Sequence, residues 1–141
     1  MIKSIDHIAI AVTNLDDALK TFTSLLGSRE NEVRVEEVPT EGVRVAFLPV
    51  GGTKIELLEP MNEESPIAKY LEKNGGGIHH IAFNTDSVAE EQERVKGTGI
   101  RTLGEVRHGA GGKDILFLHP KDTGRVLVEL CSKKTPETAA D

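Results

Sequence analysis

The sequence predicts an α+β chain made of two tandem copies of one β-α-β-β-β module. The first observation behind this is an internal repeat. Ile5-Asp6-His7-Ile8-Ala9-Ile10 recurs as Ile78-His79-His80-Ile81-Ala82-Phe83, and Lys54-Ile55-Glu56-Leu57-Leu58 recurs as Leu127-Val128-Glu129-Leu130-Cys131, both at an offset of 73 residues. The distance from histidine to glutamate is therefore 49 residues in each copy. One apolar strand matches another easily by chance, but a polar residue at the same place in two strand pairs does so much less often. The second observation is that a helical signal, followed by three strand signals, lies between each histidine and its glutamate.

In the first copy, Leu15, Leu19, Phe22 and Leu26 recur at helical spacing behind Asn14, a candidate N-cap, with acids in the first turn and Gly27 as the C-cap. Strand signals follow at 32–38, 43–49 and 54–58, with Gly51-Gly52 as the turn between the last two. In the second copy the helix covers Thr85 to Gly99, with Val88, Gln92 and Val95 on one face. Its strands are expected at 102–108, 114–119 and 126–131, with Lys121-Asp122-Thr123-Gly124 as the last turn. Between the copies, Ser65 caps a short helix that starts at Pro66 and runs to Lys73, and Gly75-Gly76-Gly77 forms a joint. The expected organisation is one domain over 1–131: module one about 1–60, a linker helix segment 61–77 and module two about 78–131. A flexible tail follows over 132–141.

Composition narrows the class. With 141 residues and 38% hydrophobic content the chain can build one core, and with no tryptophan that core must lean on Val, Ile, Leu and Ala. A net charge of −6 without a basic stripe argues against nucleic acid. The single cysteine, Cys131, permits no internal disulfide, and no apolar run suits a signal peptide or a membrane span. The expectation is a soluble cytoplasmic protein that does not engage a membrane.

Strand alternation places His7 with Ile5, Ala9 and Ala11 on one face, opposite Ile8, Ile10 and Val12. Glu56, His80 and Glu129 likewise sit alone among apolar neighbours, one per strand. A lone strand histidine or glutamate usually has a structural or surface role. Here the shared spacing makes the four a set, and two buried glutamates brought together need a compensating charge. His7, Glu56, His80 and Glu129 are therefore the candidate ligands of one divalent metal ion. Imidazole with carboxylate suits Zn, Co, Ni, Mn or Fe(II) better than an all-oxygen Ca or Mg cage. His79 is read as a supporting or structural residue, His108 and His119 as surface residues, and Cys131 as packing.

These modules and ligands resemble the vicinal oxygen chelate (glyoxalase/bleomycin resistance) superfamily. Within it, Gly42-Val43-Arg44-Val45-Ala46-Phe47-Leu48-Pro49, Ser65-Pro66-Ile67-Ala68, Gly109-Ala110-Gly111-Gly112-Lys113 and Phe117-Leu118-His119-Pro120-Lys121 resemble the methylmalonyl-CoA epimerase family. The resemblance implies a cupped eight-stranded mixed sheet, a homodimer and a divalent cofactor, Co2+ first, with Zn2+, Mn2+ or Ni2+ as alternatives. It implies an isomerase that interconverts the (2R) and (2S) forms of an acyl-CoA thioester, methylmalonyl-CoA, by C2 proton abstraction through a metal-stabilised enolate. Glu129 and Glu56 are the catalytic candidates. Some family members carry glutamine at the position of Glu56 and a second glutamate at that of Val45, and valine cannot move a proton. Lys113 is a candidate for the substrate carboxylate or a CoA phosphate, and equally a solvated turn lysine. The rival readings are a glyoxalase-I-type lyase and a metal-free binding protein of the same fold.

Overall fold

The computed structural model describes residues 1–134. The strands are β1 (Ile2–Ala11), β2 (Arg34–Val38), β3 (Val43–Val50), β4 (Thr53–Pro60), β5 (Gly77–Thr85), β6 (Thr102–His108), β7 (Lys113–Leu118) and β8 (Val128–Lys133). The helices are α1 (Leu15–Leu26), α2 (Pro66–Asn74) and α3 (Val88–Lys96). The strands make one mixed sheet in hydrogen-bonded order β2-β3-β4-β1-β5-β8-β7-β6, the eight-stranded α+β arrangement expected. The chain resolves into two compact units, Ile5–Ala82 and the remainder (Met1–Ser4 with the chain from Phe83).

In the Ile5–Ala82 unit, β1 runs parallel to β4 with Ala9 opposite Glu56, and β3 runs antiparallel to both β2 and β4. Helix α1 ends where its sequence says. Asn14 accepts from the Asp17 amide, and Gly27 turns into the left-handed region at φ 65°. The helix packs Leu15, Ala18, Leu19, Phe22 and Leu26 against Ala46, Leu48 and Leu57 of the sheet. Glu59 on β4 secures its first turn by accepting from the Leu15 amide at 2.7 Å and from Arg44 at 3.0 Å. Helix α2 begins at Pro66 behind Ser65, whose hydroxyl accepts from the Ile67 amide. Gly42 is required beside it: its φ is 67°, and a Cβ there would lie 3.2 Å from Ser65 Cβ.

In the second unit α3 packs Val88 and Val95 against Leu116, Leu118 and Leu130. The expected face is shifted. Glu91 rather than Gln92 is buried, at 2% exposure, and it is held by the Arg94 guanidinium and the Met1 amine. The guanidinium hydrogen bond keeps the Glu91 carboxyl below its usual value against the opposing effect of burial. Strand β6 has the expected bounds, but a bulge interrupts its register with β7 between Leu103 and Arg107. The turn before β8 is longer than expected. Arg125 adopts φ 67°, and the Thr123 hydroxyl donates to the Val126 carbonyl, so the strand starts at Val128. It runs on through Lys133, with Ser132 buried and accepting from the Val88 amide. Of the expected tail, 135–141 lie outside the described residues.

One exposed pair in this unit gives a pH prediction. Arg101 donates to Asp122 through Nε at 2.8 Å, through a second guanidinium nitrogen at 3.1 Å and through its own amide at 3.0 Å. These bonds pull the Asp122 carboxyl from 3.8 down to about 2. A depressed acid contributes stability above its unfolded pKa and loses it as pH falls through the folded one. Asp122→Asn should therefore flatten the acid limb of stability between pH 3.8 and about 2 and leave its shape near neutrality unchanged. Urea unfolding at a series of pH values reads this out, and a parallel acid limb in the variant would contradict it.

Candidate metal centre and active site

Three of the four predicted ligands lie in the Ile5–Ala82 unit, with His80 on the Nε2 side of the His7 ring and Glu56 on its Nδ1 side. His7 lies on β1, Glu56 on β4 and His80 on β5, and all are buried, at 6%, 4% and 6% exposure. The Nε2 atoms of His7 and His80 face each other at 3.2 Å, with the rings edge to face at 77°. Glu56 Oε2 lies 3.0 Å from His7 Nδ1. The fourth predicted ligand, Glu129, lies on β8 in the other unit, buried between Val128 and Leu130. Both glutamates have the same local setting: in the antiparallel register Phe47 stands opposite Glu56 and Phe117 opposite Glu129. An arginine covers each phenylalanine, Arg34 at 4.5 Å from the ring centroid and Arg107 at 5.4 Å. The two arginines are again 73 residues apart, a further part of the repeat that apolar patterning does not reveal.

Sequence reasoning missed Asp6. Alternation puts its Cβ on the face away from His7, yet the carboxylate curls round to His7 Nδ1 at 2.7 Å and is 9% exposed. Lys54, whose Nζ is 3.3 Å from the same oxygen, offsets its charge. A carboxylate only accepts, so His7 Nδ1 carries the proton, and Nε2 is the nitrogen left to offer a lone pair when a metal binds. One N–H cannot fully serve two carboxylates. Asp6 makes the shorter contact, at 2.7 Å against 3.0 Å for Glu56. On the other side, His79 Nδ1 lies 2.9 Å from His80 Nδ1. Burial, reinforced by the neighbouring His7 and His79 rings, holds the His80 imidazole well below its usual pKa, and burial also lowers that of His79. His80 is thus neutral near pH 7 and able to offer a lone pair.

These residues fit a divalent ion. Two ligand nitrogens about 2.1 Å from one ion and separated by 90–110° are roughly 2.9–3.4 Å apart, and the two Nε2 atoms meet that spacing. Glu56 and Asp6 supply the negative charge that a buried cation needs.

Residues 6–117 match the model of the Glyoxalase/Bleomycin resistance protein/Dioxygenase superfamily, and the chain belongs to that family. Its relatives are more specific. It is 46% identical over 133 residues to the ethylmalonyl-CoA/methylmalonyl-CoA epimerase of Cereibacter sphaeroides, spanning 92% of this chain and 98% of that protein. It is 44% identical to human mitochondrial methylmalonyl-CoA epimerase, over 89% of this chain and 72% of the relative. Among solved structures, the Mycobacterium tuberculosis methylmalonyl-CoA epimerase superposes with a TM-score of 0.88 at 36% identity, covering 99% of this chain and 93% of that one. A variant of the Streptomyces coelicolor enzyme, solved with 2-nitronate-propionyl-CoA, also gives 0.88, at 38% identity and 96% and 100% coverage.

Proposed function

We propose that this protein is an isomerase that interconverts the C2 epimers of methylmalonyl-CoA with one divalent metal ion, Co2+ by preference, held by His7, His80, Glu129 and Glu56. The observation that carries the reading is the buried His7–His80 pair with Glu56 beside it, in a chain similar over nearly its whole length to a named epimerase. The offset of 73 residues, the burial of Glu129 and its Phe117 partner, which mirrors Phe47 beside Glu56, support Glu129 as the fourth ligand.

The C2 hydrogen lies between a thioester carbonyl and a carboxylate, so its removal places charge on oxygen. A bound divalent ion would supply Lewis-acid stabilisation of that charge and a template for the substrate oxygens. The protein's own part is proton transfer and the exclusion of water. Glu129 takes or returns the proton on one face of C2 and Glu56 does so on the other, each through a carboxylate oxygen. Burial of both glutamates on strands fixes their aim. Asp6 contributes by making the shorter of the two carboxylate contacts to the His7 N–H.

Ile5 and Ile78, equivalent residues of the repeat, leave apolar side chains 42% and 58% exposed, which supports assembly as a homodimer. A cytoplasmic location accompanies this reading, with Cys131 kept as a buried thiol.

The test is solvent exchange at C2. Protein loaded with Co2+ is expected to wash deuterium from C2-labelled methylmalonyl-CoA into water, to convert one epimer into the other, and to leave the methylglyoxal–glutathione hemithioacetal untouched. Turnover of the hemithioacetal without C2 exchange would replace the proposal with a lyase. Failure to bind Co2+, with neither activity, would point to a binding protein.

A further inference from the structure

Asp6 and His79 occupy equivalent positions: each precedes a histidine of the pair, and they are 73 residues apart. The structure gives each the same job in different chemistry. Asp6 Oδ2 is 2.7 Å from His7 Nδ1, and His79 Nδ1 is 2.9 Å from His80 Nδ1. In both copies the residue just before the histidine reaches the far nitrogen of its ring, although strand alternation points the two Cβ atoms to opposite faces.

Each of the two is itself held from outside. Lys54 Nζ lies 3.3 Å from Asp6 Oδ2, placed there by the parallel register that sets Lys54 opposite His7. Tyr70 of α2 meets the His79 ring edge to face at 4.9 Å, and its hydroxyl donates to the Ile78 carbonyl at 2.7 Å. The linker helix is thereby coupled to the orientation of His80.

We propose that Asp6 and His79 are paired positioning residues, each accepting the Nδ1 proton of the following histidine so that both Nε2 lone pairs point at one shared divalent ion. This rests on the reading of His7 and His80 as metal ligands. Hydrogen bonds of this kind fix the tautomer and ring orientation of a ligating histidine, and their loss typically weakens metal binding 10–100-fold. The two supports differ in strength. The Asp6 carboxylate raises the donor power of His7, whereas a neutral imidazole leaves His80 the weaker donor. The centre is therefore asymmetric although the fold that builds it is repeated.

The experiment is a competition titration of metal-free protein with Co2+ against a chromophoric chelator, with the visible Co2+ spectrum recorded on each loaded form. Thermal midpoints of the metal-free proteins control for folding. Asp6→Ala and His79→Phe are expected to bind Co2+ about 10–100-fold more weakly than the parent. The phenylalanine keeps the ring packing on Tyr70 but cannot accept a proton. Asp6→Asn and His79→Gln restore an acceptor oxygen and should recover most of the affinity, with a Co2+ spectrum close to the parent's. Parent-like affinity in both Asp6→Ala and His79→Phe overturns the positioning roles and leaves the metal centre standing. A parent protein that binds no Co2+ overturns both readings.

Discussion

Glu129→Gln is expected to lower C2 proton exchange by about 10^2–10^4-fold while Co2+ still binds. Glutamine keeps a carbonyl oxygen as a ligand and nearly the volume of glutamate, but it cannot accept a proton at neutral pH. The site is buried on β8, where Glu129 lies between Val128 and Leu130 and opposite Phe117, so the substitution changes chemistry rather than shape. Glu129→Ala removes ligand and base together and should lose metal affinity as well as exchange. The separation of the two effects identifies Glu129 as a group that moves a proton. The measurement is the loss of C2 deuterium in water with bound Co2+ determined on the same sample. Exchange within a few-fold of the parent in the metal-loaded glutamine variant would remove Glu129 from the reaction.

The elements readable in advance were those whose signals are local or repeated. Asn14, Gly27, Ser65 and Pro66 act through their own backbone geometry and stand where capping rules put them. His7, Glu56 and His80 stand out as candidates because two copies of one module carry the same polar interruptions, and all three are buried. Other features depend on neighbours that sequence spacing does not reveal. Glu91 is buried because Arg94, one turn later, and the Met1 amine neutralise it, so the inner face of α3 includes a charge that apolar patterning assigns to solvent. Asp6 and His79 reach their histidine rings although alternation turns their Cβ atoms to the far face, because it fixes the direction of Cβ, not where the end of a polar side chain settles. Strand β2 starts at Arg34 rather than two residues earlier because Glu30–Glu32 close a 3-10 turn first.

Glu56→Gln is expected to divide the reaction rather than abolish it. Asp6 makes the shorter contact to the His7 N–H, and on the proposed reading a glutamine oxygen can replace Glu56 both beside that ring and at the ion. What glutamine cannot replace is the proton transfer proposed for Glu56 on its face of C2. The variant should bind Co2+, exchange the C2 proton of the epimer that presents it to Glu129, and epimerise at least about 100-fold more slowly. Val45 offers a rescue. It lies on β3 opposite Leu58, with Phe47 opposite Glu56, so Val45 and Glu56 project from the same face as diagonal neighbours, about 7–8 Å apart. The double variant Val45→Glu/Glu56→Gln moves the carboxylate across this diagonal and should epimerise about 10-fold or more faster than Glu56→Gln alone. Because Val45 is fully buried, the new carboxylate will lower the thermal midpoint of the metal-free form and regain part of it when the ion binds. Parent-rate epimerisation by the single variant would leave Glu56 as a ligand only and place the second proton transfer elsewhere.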